Sequence, residues 1–154
     1  MISEPSPCVI RQAAMEDALA IESLYRELIS DPLIFVLPDQ IAALSQSETS
    51  FLLVAESANV VRGTALLTLC PDVRYRTQPF GVVENVIVSE NSRGHGIGRL
   101  LLAHVERLAL THDCTKLMLL SSASRSSAHA FFRSCGFTSD TKYGFVKYRS
   151  RFTS

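Results

Sequence analysis

A glycine-rich turn between a strand and a helix is the segment of this sequence best suited to bind a ligand. Gly94, Gly96 and Gly98 stand at alternate positions, and Arg93 and Arg99 flank them. Because these glycines have no side chains, backbone N–H groups of the turn can approach an anion closely. The helix behind them adds unpaired N-terminal donors and its dipole, and the arginines add cations suited to phosphate. The turn is therefore predicted to bind a pyrophosphate.

Several kinds of turn compete to explain this segment. A P-loop needs Gly-Lys followed by Ser or Thr at the helix start, and no such run occurs here. A dinucleotide fingerprint, Gly-x-Gly-x-x-Gly, counted from Gly94 needs glycine where Arg99 stands. The pattern Arg-x-x-Gly-x-Gly is met by Arg93, Gly96 and Gly98. A tight turn without a ligand remains the other alternative.

The elements on either side of the turn follow from the spacing of apolar residues. Val82 to Val88 is predicted as a strand. A helix is predicted from Ile97 to Thr111, because its apolar residues recur with the period of one helix face. Lys116 to Leu120 is predicted as a buried strand, followed by a short helix from Ser126 to Ser134. Gly136 is expected to terminate that helix.

The remaining chain contributes further helices and strands. The order of all elements implies a mixed α/β sheet with helices on both faces. The predicted helices here run from Asp17 to Ile29 and from Pro38 to about Ser47, and the predicted strands are Cys8 to Arg11, Phe51 to Glu56, Val60 to Leu69, Phe137, and Gly144 to Arg149.

The composition is that of an ordinary globular protein. The 154 residues suit one domain, and 15 basic against 15 acidic residues leave no basic surface for nucleic acid. The four cysteines stand singly, which favours a reducing compartment and no metal site. Residues 1–7 lack the features of a signal peptide, and no apolar run approaches the ~20 residues of a membrane span. We therefore expect a soluble, cytoplasmic protein that binds neither nucleic acid nor membrane.

The segment from Val82 to Phe137 resembles the GNAT superfamily of N-acetyltransferases, and most of all its small-molecule amine acetyltransferases. The N-terminal half matches only in the order of its elements. The residues that carry the resemblance are the strand Glu84-Asn85-Val86-Ile87-Val88, the turn from Arg93 to Gly98, the leucine-rich helix, the strand from Lys116 to Leu120, and the ending Ala128-x-x-Phe131-Phe132-x-x-x-Gly136-Phe137.

This resemblance implies an α/β (α+β) fold with a single mixed, mostly antiparallel sheet of six to seven strands and helices on both faces. The sheet is expected to be splayed at its centre. Residues 1–154 are expected to form a single acetyltransferase domain, in which residues 1–7 are a flexible tail and residues 82–137 are the cofactor-binding core.

The resemblance also implies acetyl-CoA as the cosubstrate and allows a homodimer. The pyrophosphate would lie on the backbone of Gly94 to Arg99. The pantetheine arm would run as an extra strand beside Val86 to Val88, using the open edge left by the splay. The residues expected to bind the cosubstrate are Val86, Ile87, Val88, Arg93, Gly94, His95, Gly96, Ile97, Gly98, Arg99, Phe131 and Phe132.

Glu84 is the candidate catalytic base. A primary amine with a pKa of ~10.4 is mostly protonated at neutral pH, so a base or a pKa-lowering environment must produce the free amine. Strand alternation is expected to put Glu84, Val86 and Val88 on one face, and the N–H of Val86 could stabilise an oxyanion. A carboxylate in an apolar strand is costly unless it is used or paired. A salt-bridged or substrate-positioning acid remains the alternative.

The general acid and the acceptor site are less defined. The superfamily commonly has Tyr where this chain has Phe132, and Tyr143 is the nearest downstream phenol. A thiolate can leave near neutral pH without obligatory protonation, so an acid is expected to be dispensable. Arg74 to Arg76 could contact an acceptor or form a solvated loop. Leu33 to Leu37 could line the acceptor site or plug the core.

The predicted function is transfer of an acetyl group from acetyl-CoA to a primary amine of a small molecule, by direct attack in a ternary complex. Two alternatives remain open. One is acetylation of a protein α-amino group or lysine. The other is a non-catalytic acetyl-CoA-binding module, which Phe132 favours and Glu84 disfavours.

Overall fold

The computed structural model describes residues 6–153, which divide into two compact units at the boundary between Leu119 and Leu120. The expected flexible tail over residues 1–7 lies mostly outside the described residues. Among the described residues, three short 3-10 turns occur at Met15–Asp17, Glu90–Ser92 and Arg149–Arg151. The first unit contains β1 (Cys8–Gln12), α1 (Ala18–Leu28), α2 (Pro38–Ser45), β2 (Ser50–Ser57), β3 (Val60–Cys70), β4 (Phe80–Val88), α3 (Ile97–Thr111) and β5 (Leu117–Leu119), and the second contains α4 (Ser126–Ser134).

The sheet of the first unit is mixed and mostly antiparallel, as predicted. Within residues 6–153 its five strands lie in the order β1-β2-β3-β4-β5, and only the pair β4 and β5 is parallel. The β2–β3 hairpin turns at Ala58 and Asn59, whose φ angles of 52° and 60° give the paired left-handed geometry that matches strand twist. The strand count is one or two below the predicted six to seven.

The missing strands are those predicted near the C-terminus, and this part of the prediction was wrong. Neither Phe137 nor Gly144 to Arg149 forms a strand in the described chain. The second run has strong β-propensity, but extended backbone becomes a strand only when another strand accepts its hydrogen bonds. Instead, Phe145 is 91% exposed and Tyr148 is 71% exposed.

The two faces of the sheet pack against different helices. Thr64 and Leu66 of β3 point to the face covered by α1 and α2, where Ile21, Ile41 and Val54 belong to one buried cluster. The intervening Ala65 and Leu67 point the other way and are fully buried. On that face a Cβ added to Gly63 would lie 3.2 Å from the Leu101 side chain of α3. The predicted placement of helices on both faces is confirmed.

The fifth strand differs from its prediction in length and burial. Only Leu117 to Leu119 pair with β4, whereas Lys116 to Leu120 was predicted as a buried strand. Leu117 and Leu119 are half-buried, while Met118 and Leu120 are exposed. This alternation is typical of a strand with one covered face rather than of a central buried strand.

An ion-pair cluster ties β1 to the start of α1 and to β2. The two terminal nitrogens of Arg11 lie 2.7 Å and 2.9 Å from the Asp17 carboxylate oxygens, and one of them lies 2.6 Å from Glu56. The N–H of Ala14 also donates to Asp17, at 2.8 Å. The Arg11 guanidinium holds the pKa of the nearly buried Asp17 carboxyl below its usual value.

Replacing Asp17 by asparagine is expected to lower the free energy of unfolding at pH 7 by about 1.5–3 kcal/mol, because charge-assisted hydrogen bonds are lost. A depressed folded-state pKa stabilises the fold above the unfolded pKa of about 3.9, and this contribution disappears as pH falls through the folded pKa. The wild type should therefore lose more stability than Asp17→Asn between about pH 5 and pH 2. Urea unfolding across this range measures the difference.

The exposed Asp140, changed to asparagine, is the control and should keep the wild-type pH dependence. If the free energy of unfolding falls equally with pH in Asp17→Asn and in the wild type, a stabilising role of the ionised Asp17 is contradicted.

Candidate functional site

The glycine-rich turn connects β4 to α3 as the sequence predicts. The chain leaves β4 at Val88, makes the 3-10 turn Glu90–Ser92 and enters α3 at Ile97. The first helical hydrogen bond of α3 runs from the N–H of Leu100 to the carbonyl of Gly96, at 3.0 Å. No side chain caps this helix, and its first turn holds no acidic residue. Its N-terminal dipole therefore faces a site without a competing carboxylate from that turn.

Two glycines of the turn have backbone conformations that favour glycine. The φ angles of Gly94 and Gly96 are +80° and +78°, in the left-handed region. A Cβ added at either position would meet no atom within 4 Å. The glycines therefore allow the turn to adopt its shape and also leave clear space above its backbone. This arrangement fits a pyrophosphate, which needs close access to backbone N–H groups.

The turn is held by internal contacts and by hydrogen bonds to β3 and α1. Ser89 donates its N–H to the carbonyl of Arg62 at 2.7 Å, and Ser92 donates to Ser89 at 2.8 Å. The ring Nδ1 of His95 lies 3.3 Å from the carbonyl of Ser92. The carboxylate of Glu27 in α1 accepts the N–H of Glu90 at 3.2 Å. Sequence reasoning missed Glu27, because no local pattern reveals a partner 63 residues away in the chain.

The two arginines of the turn are both exposed. The Nε of Arg93 donates to the carbonyl of Val88 at 3.1 Å, at the end of β4. Arg93 therefore also closes the turn onto the strand, a role that the sequence did not indicate. Arg99 lies in the first turn of α3. Both cations stand close in sequence to the open space above Gly94 and Gly96.

The edge of β4 beside β5 becomes free halfway along the strand. The parallel pairing joins only Gly81, Val82 and Val83 to β5. Within the described chain, β4 has no strand partner on this edge from Glu84 to Val88. Pairing between β4 and β5 therefore ends partway along β4, as the predicted splay requires. An open edge leading to the glycine-rich turn fits an extended chain carrying hydrogen-bonding amides, as the pantetheine arm does.

A β-bulge interrupts β4 where the splay begins. Leu66 of β3 pairs with Glu84, and Thr64 pairs with Ile87. Ala65 therefore faces two residues, Asn85 and Val86. Asn85 has a φ of +55°, in the left-handed region that the first residue of one bulge type adopts.

The bulge overturns the predicted alternation along β4. Thr64 and Leu66 share one face of β3, so their partners Ile87 and Glu84 also share that face. Val86, adjacent to Ile87, then points to the opposite face. Glu84 and Val86 were predicted to share a face, and this prediction was wrong, because alternation holds only where the ladder is unbroken.

Glu84 lies directly beside the bulge with an exposed side chain. Among residues 6–153 its carboxylate has no hydrogen-bond or ion-pair partner. The salt-bridged alternative therefore finds no support in the described residues. The expected cost of burying the carboxylate is also absent, so a role for Glu84 rests on its position beside the bulge and the open edge.

The aromatic residues of the motif lie in the second unit. The helix α4 ends with two hydrogen bonds of a Schellman motif: Gly136 to Arg133 at 3.0 Å and Phe137 to Phe132 at 3.1 Å. Gly136 has a φ of +94°, so its predicted role in terminating the helix is confirmed. Phe132 is 7% exposed, and its ring centre lies 5.5 Å from that of Phe131 and 6.2 Å from that of Phe137.

The two candidate acceptor loops belong to the first unit. Leu33 and Phe35 are 85% and 75% exposed, which excludes a core plug for these side chains. Val36 alternates with them and packs against the core. The loop is tied to α1, since Glu22 accepts the N–H of Val36 at 3.0 Å. In the other loop, Arg74 to Arg76 are exposed, and the φ of Arg76 is +60°.

Metal and membrane sites were not expected. Over residues 6–153, no group of three or more His, Cys, Asp and Glu side chains could hold a metal ion. The four cysteines are free and half-buried. None of the helices in the described part of the chain is long and apolar enough to cross a membrane.

The fold and the strand–turn–helix site define a class of enzyme. A sequence model of the Acetyltransferase (GNAT) family matches residues 18–137. Because this match covers most of the chain, the protein belongs to the GNAT family of acetyltransferases. It is a transferase of the N-acetyltransferase class.

Similar proteins agree with this assignment. The chain is 32% identical over 133 residues to the aminoglycoside N(6')-acetyltransferase type 1 of Stenotrophomonas maltophilia, covering 83% of this chain and 84% of that protein. A putative acetyltransferase from Agrobacterium tumefaciens str. C58 is 30% identical, with a TM-score of 0.82 over 92% of this chain and 99% of that one. The aminoglycoside N-acetyltransferase AAC(6')-Iy, solved in complex with CoA, is 18% identical, with a TM-score of 0.80 over 97% and 99%. This last likeness concerns the fold alone.

Proposed function

We propose that this protein transfers an acetyl group from acetyl-CoA to a primary amine of a small molecule, by direct attack in a ternary complex. The observation that carries the proposal is the clear space above Gly94 and Gly96 at the uncapped start of α3. The free edge of β4 leads to the same turn. We assign the single acetyltransferase domain to residues 1–154 and its cosubstrate-binding core to residues 82–137. A cytoplasmic location and a homodimer stay predictions.

Each part of the site has a separate role in holding the cosubstrate. Backbone N–H groups between Gly94 and Arg99 bind the pyrophosphate, with Arg93 and Arg99 as the nearby cations. The edge from Val86 to Val88 binds the amides of the pantetheine arm. The cosubstrate-binding set also includes His95, Ile97, Phe131 and Phe132.

The chemistry then requires little from the protein beyond orientation and a proton acceptor. Acetyl-CoA, when bound, supplies an activated acetyl carbonyl in its thioester. The acceptor nitrogen would form the new N–C bond while the thioester C–S bond breaks and the thiolate leaves. The nitrogen also loses a proton, and we assign Glu84 as its acceptor. The N–H of Val86 is the candidate donor to the carbonyl oxygen.

A small-molecule acceptor is supported by relatives and by the loops. The relative from Stenotrophomonas maltophilia is named for acting on aminoglycosides, which carry primary amines. Exposed Leu33 and Phe35 provide apolar surface, and exposed Arg74 and Arg76 provide charge. Loops carried on a rigid sheet are where acceptor specificity is commonly built.

An acceptor screen tests the proposed function. Purified protein and acetyl-CoA are incubated with aminoglycosides, amino sugars, polyamines, and peptides with a free α-amino group or lysine. Thiol release and a product mass increased by one acetyl group should appear with a small amine. Acetylation of peptides alone would favour the protein-acceptor alternative, and cosubstrate binding without any turnover would favour the non-catalytic module.

The general acid is predicted to be dispensable, and two conservative variants test this. Phe132→Tyr should keep the fold and change kcat by less than about tenfold, because a thiol with a pKa of ~8.5 can leave as thiolate. Tyr143 is 90% exposed, so Tyr143→Phe should leave most activity. For both variants, kcat at neutral pH and the affinity for acetyl-CoA are measured. Loss of nearly all turnover in Tyr143→Phe, with binding intact, would instead make Tyr143 the acid.

A further inference from the structure

The segment 33–37, which connects α1 to α2, exposes every second side chain. Three large apolar side chains of the segment are exposed: Leu33 by 85%, Phe35 by 75% and Leu37 by 54%. Ile34 and Val36 alternate with them and are half-buried, and Val36 packs against the core cluster. This alternation is typical of an extended chain with one covered side. The outward side chains are therefore free to contact a ligand, because the inward ones provide the packing.

Two side chains of α1 hold the middle of this segment. Val36 donates its N–H to Oε1 of Glu22 at 3.0 Å, and a terminal nitrogen of Arg26 donates to the carbonyl of Ile34 at 3.0 Å. The same nitrogen of Arg26 lies 3.5 Å from the other carboxylate oxygen of Glu22. In extended backbone, groups two residues apart point to the same side, as they do toward a partner strand. Glu22 and Arg26, one helical turn apart, therefore take the place of a neighbouring strand, and we call this pair the clasp.

The ends of the segment are held by backbone and Asx-turn contacts that do not involve the clasp. At the first end, Leu33 donates its N–H to Oδ1 of Asp31 at 2.9 Å. At the second end, the carbonyl of Leu37 accepts the N–H of Gln40 at 3.1 Å, where α2 begins. The clasp therefore controls the conformation of the residues between these ends.

The segment lies on the side of the sheet to which the proposed base points. Glu84 shares the face of β3 that α1 and α2 cover, and segment 33–37 connects those two helices. Glu27, which follows Arg26 in α1, accepts the N–H of Glu90 beside the glycine-rich turn at 3.2 Å. The same end of α1 thus contacts both the segment and the turn proposed to bind the pyrophosphate.

We propose that Glu22 and Arg26 are positioning residues, which hold segment 33–37 in one conformation so that Leu33 and Phe35 contact the apolar part of the acceptor amine. This inference rests on the proposed function. The clasp touches neither substrate nor reacting atoms and acts through the segment. A segment without the clasp must be ordered when the acceptor binds, and that entropic cost weakens acceptor binding rather than the chemical step.

Steady-state kinetics with acetyl-CoA test the clasp. The probe acceptor is tobramycin, because the relative from Stenotrophomonas maltophilia is named for acting on aminoglycosides. Glu22→Met and Arg26→Met remove one half of the clasp each and keep an unbranched side chain. Each should raise the KM for tobramycin by about tenfold or more and leave kcat within about threefold. The Kd for acetyl-CoA should also change less than about threefold, since the glycine-rich turn is untouched.

Conservative variants separate the clasp from a direct contact with a cationic acceptor. Glu22→Gln still offers an oxygen to the N–H of Val36, and Arg26→Lys still offers a donor to the carbonyl of Ile34. Both should therefore restore KM to within about threefold of the wild type. Glu22→Gln with a KM as high as that of Glu22→Met would overturn the inference, because the charge of Glu22 would then act on the acceptor itself.

Hydrogen exchange supplies a readout that does not depend on turnover. The amide of Val36 should exchange several-fold faster in Glu22→Met than in the wild type, whereas the amides of β2 keep wild-type rates. Glu106→Met, at an exposed position of α3, and Arg149→Met, also exposed, are the matched controls. Both controls should match the wild type in KM and in exchange.

The outcomes separate this inference from the proposed function. A wild-type protein that acetylates no amine contradicts the proposed function, and equal exchange of Val36 in the wild type and Glu22→Met overturns the clasp itself. Turnover with an unchanged KM in Glu22→Met and Arg26→Met overturns the positioning role. A weakened acetyl-CoA affinity with an unchanged KM also overturns it, because α1 would then act on the turn. The Arg26 side chain is 48% exposed, so Arg26→Met carries the test if Glu22→Met fails to fold.

Discussion

Replacing Gly96 by valine is expected to abolish measurable binding of acetyl-CoA. Gly96 has a φ of +78°, and the space where its side chain would lie is clear of protein atoms to at least 4 Å. A β-branched residue is strained in this conformation, and its methyl groups would occupy the space proposed for the pyrophosphate. Loss of two charge-assisted hydrogen bonds of about 1.5–3 kcal/mol each weakens binding by on the order of 100-fold or more. Isothermal titration calorimetry and the acetyl-CoA-dependent rise in Tm measure this loss.

Gly136→Val separates backbone strain from loss of the site. Gly136 has a similar φ of +94°, also has no atom within 4 Å of an added Cβ, and ends α4 in the second unit. This variant should have a lower Tm and still bind acetyl-CoA. Binding by Gly96→Val with near wild-type affinity would contradict the assignment of the turn as the phosphate site.

The fold was predictable from sequence wherever the signal was periodic and local. The helices Ile97–Thr111 and Ser126–Ser134 have the predicted bounds, because their apolar residues recur on one helix face. The strand predicted from Gly144 to Arg149 did not form, although its composition favours a strand. A helix satisfies its own backbone hydrogen bonds, whereas a strand depends on a distant partner that composition does not reveal.

The candidate site was predictable where a residue type by itself indicates the local backbone conformation. Gly94 and Gly96 mark left-handed positions because glycine is the residue that such positions favour. Asn85 adopts the same region without that marker, so the bulge and its effect on Glu84 were missed. The contact from Glu27 to Glu90 was missed too, since it joins residues 63 positions apart in the chain.

Replacing Glu84 by glutamine is expected to lower kcat at neutral pH by a factor on the order of 10²–10⁴, with acetyl-CoA affinity unchanged. Glutamine preserves the size of the side chain but cannot accept the proton that the attacking amine must lose. Glu84 has no hydrogen-bond or ion-pair partner in the described chain, so the substitution should leave Tm near the wild-type value. Steady-state kinetics with a small-amine acceptor found in the screen, together with calorimetric binding of acetyl-CoA, measure both quantities.

The pH dependence of this variant distinguishes a base from a residue that only positions the acceptor. A primary amine with a pKa of ~10.4 becomes increasingly unprotonated as pH rises, so the variant's deficit should shrink toward pH 9–10. If the carboxylate only holds a cationic acceptor, its replacement by glutamine would raise KM instead and leave kcat largely intact. Glu106→Gln, at an exposed position of α3, is the control and should match the wild type throughout. If Glu84→Gln keeps a near-normal kcat at neutral pH, the proton is accepted elsewhere, and the unpartnered carboxylate beside the bulge has at most a positioning role.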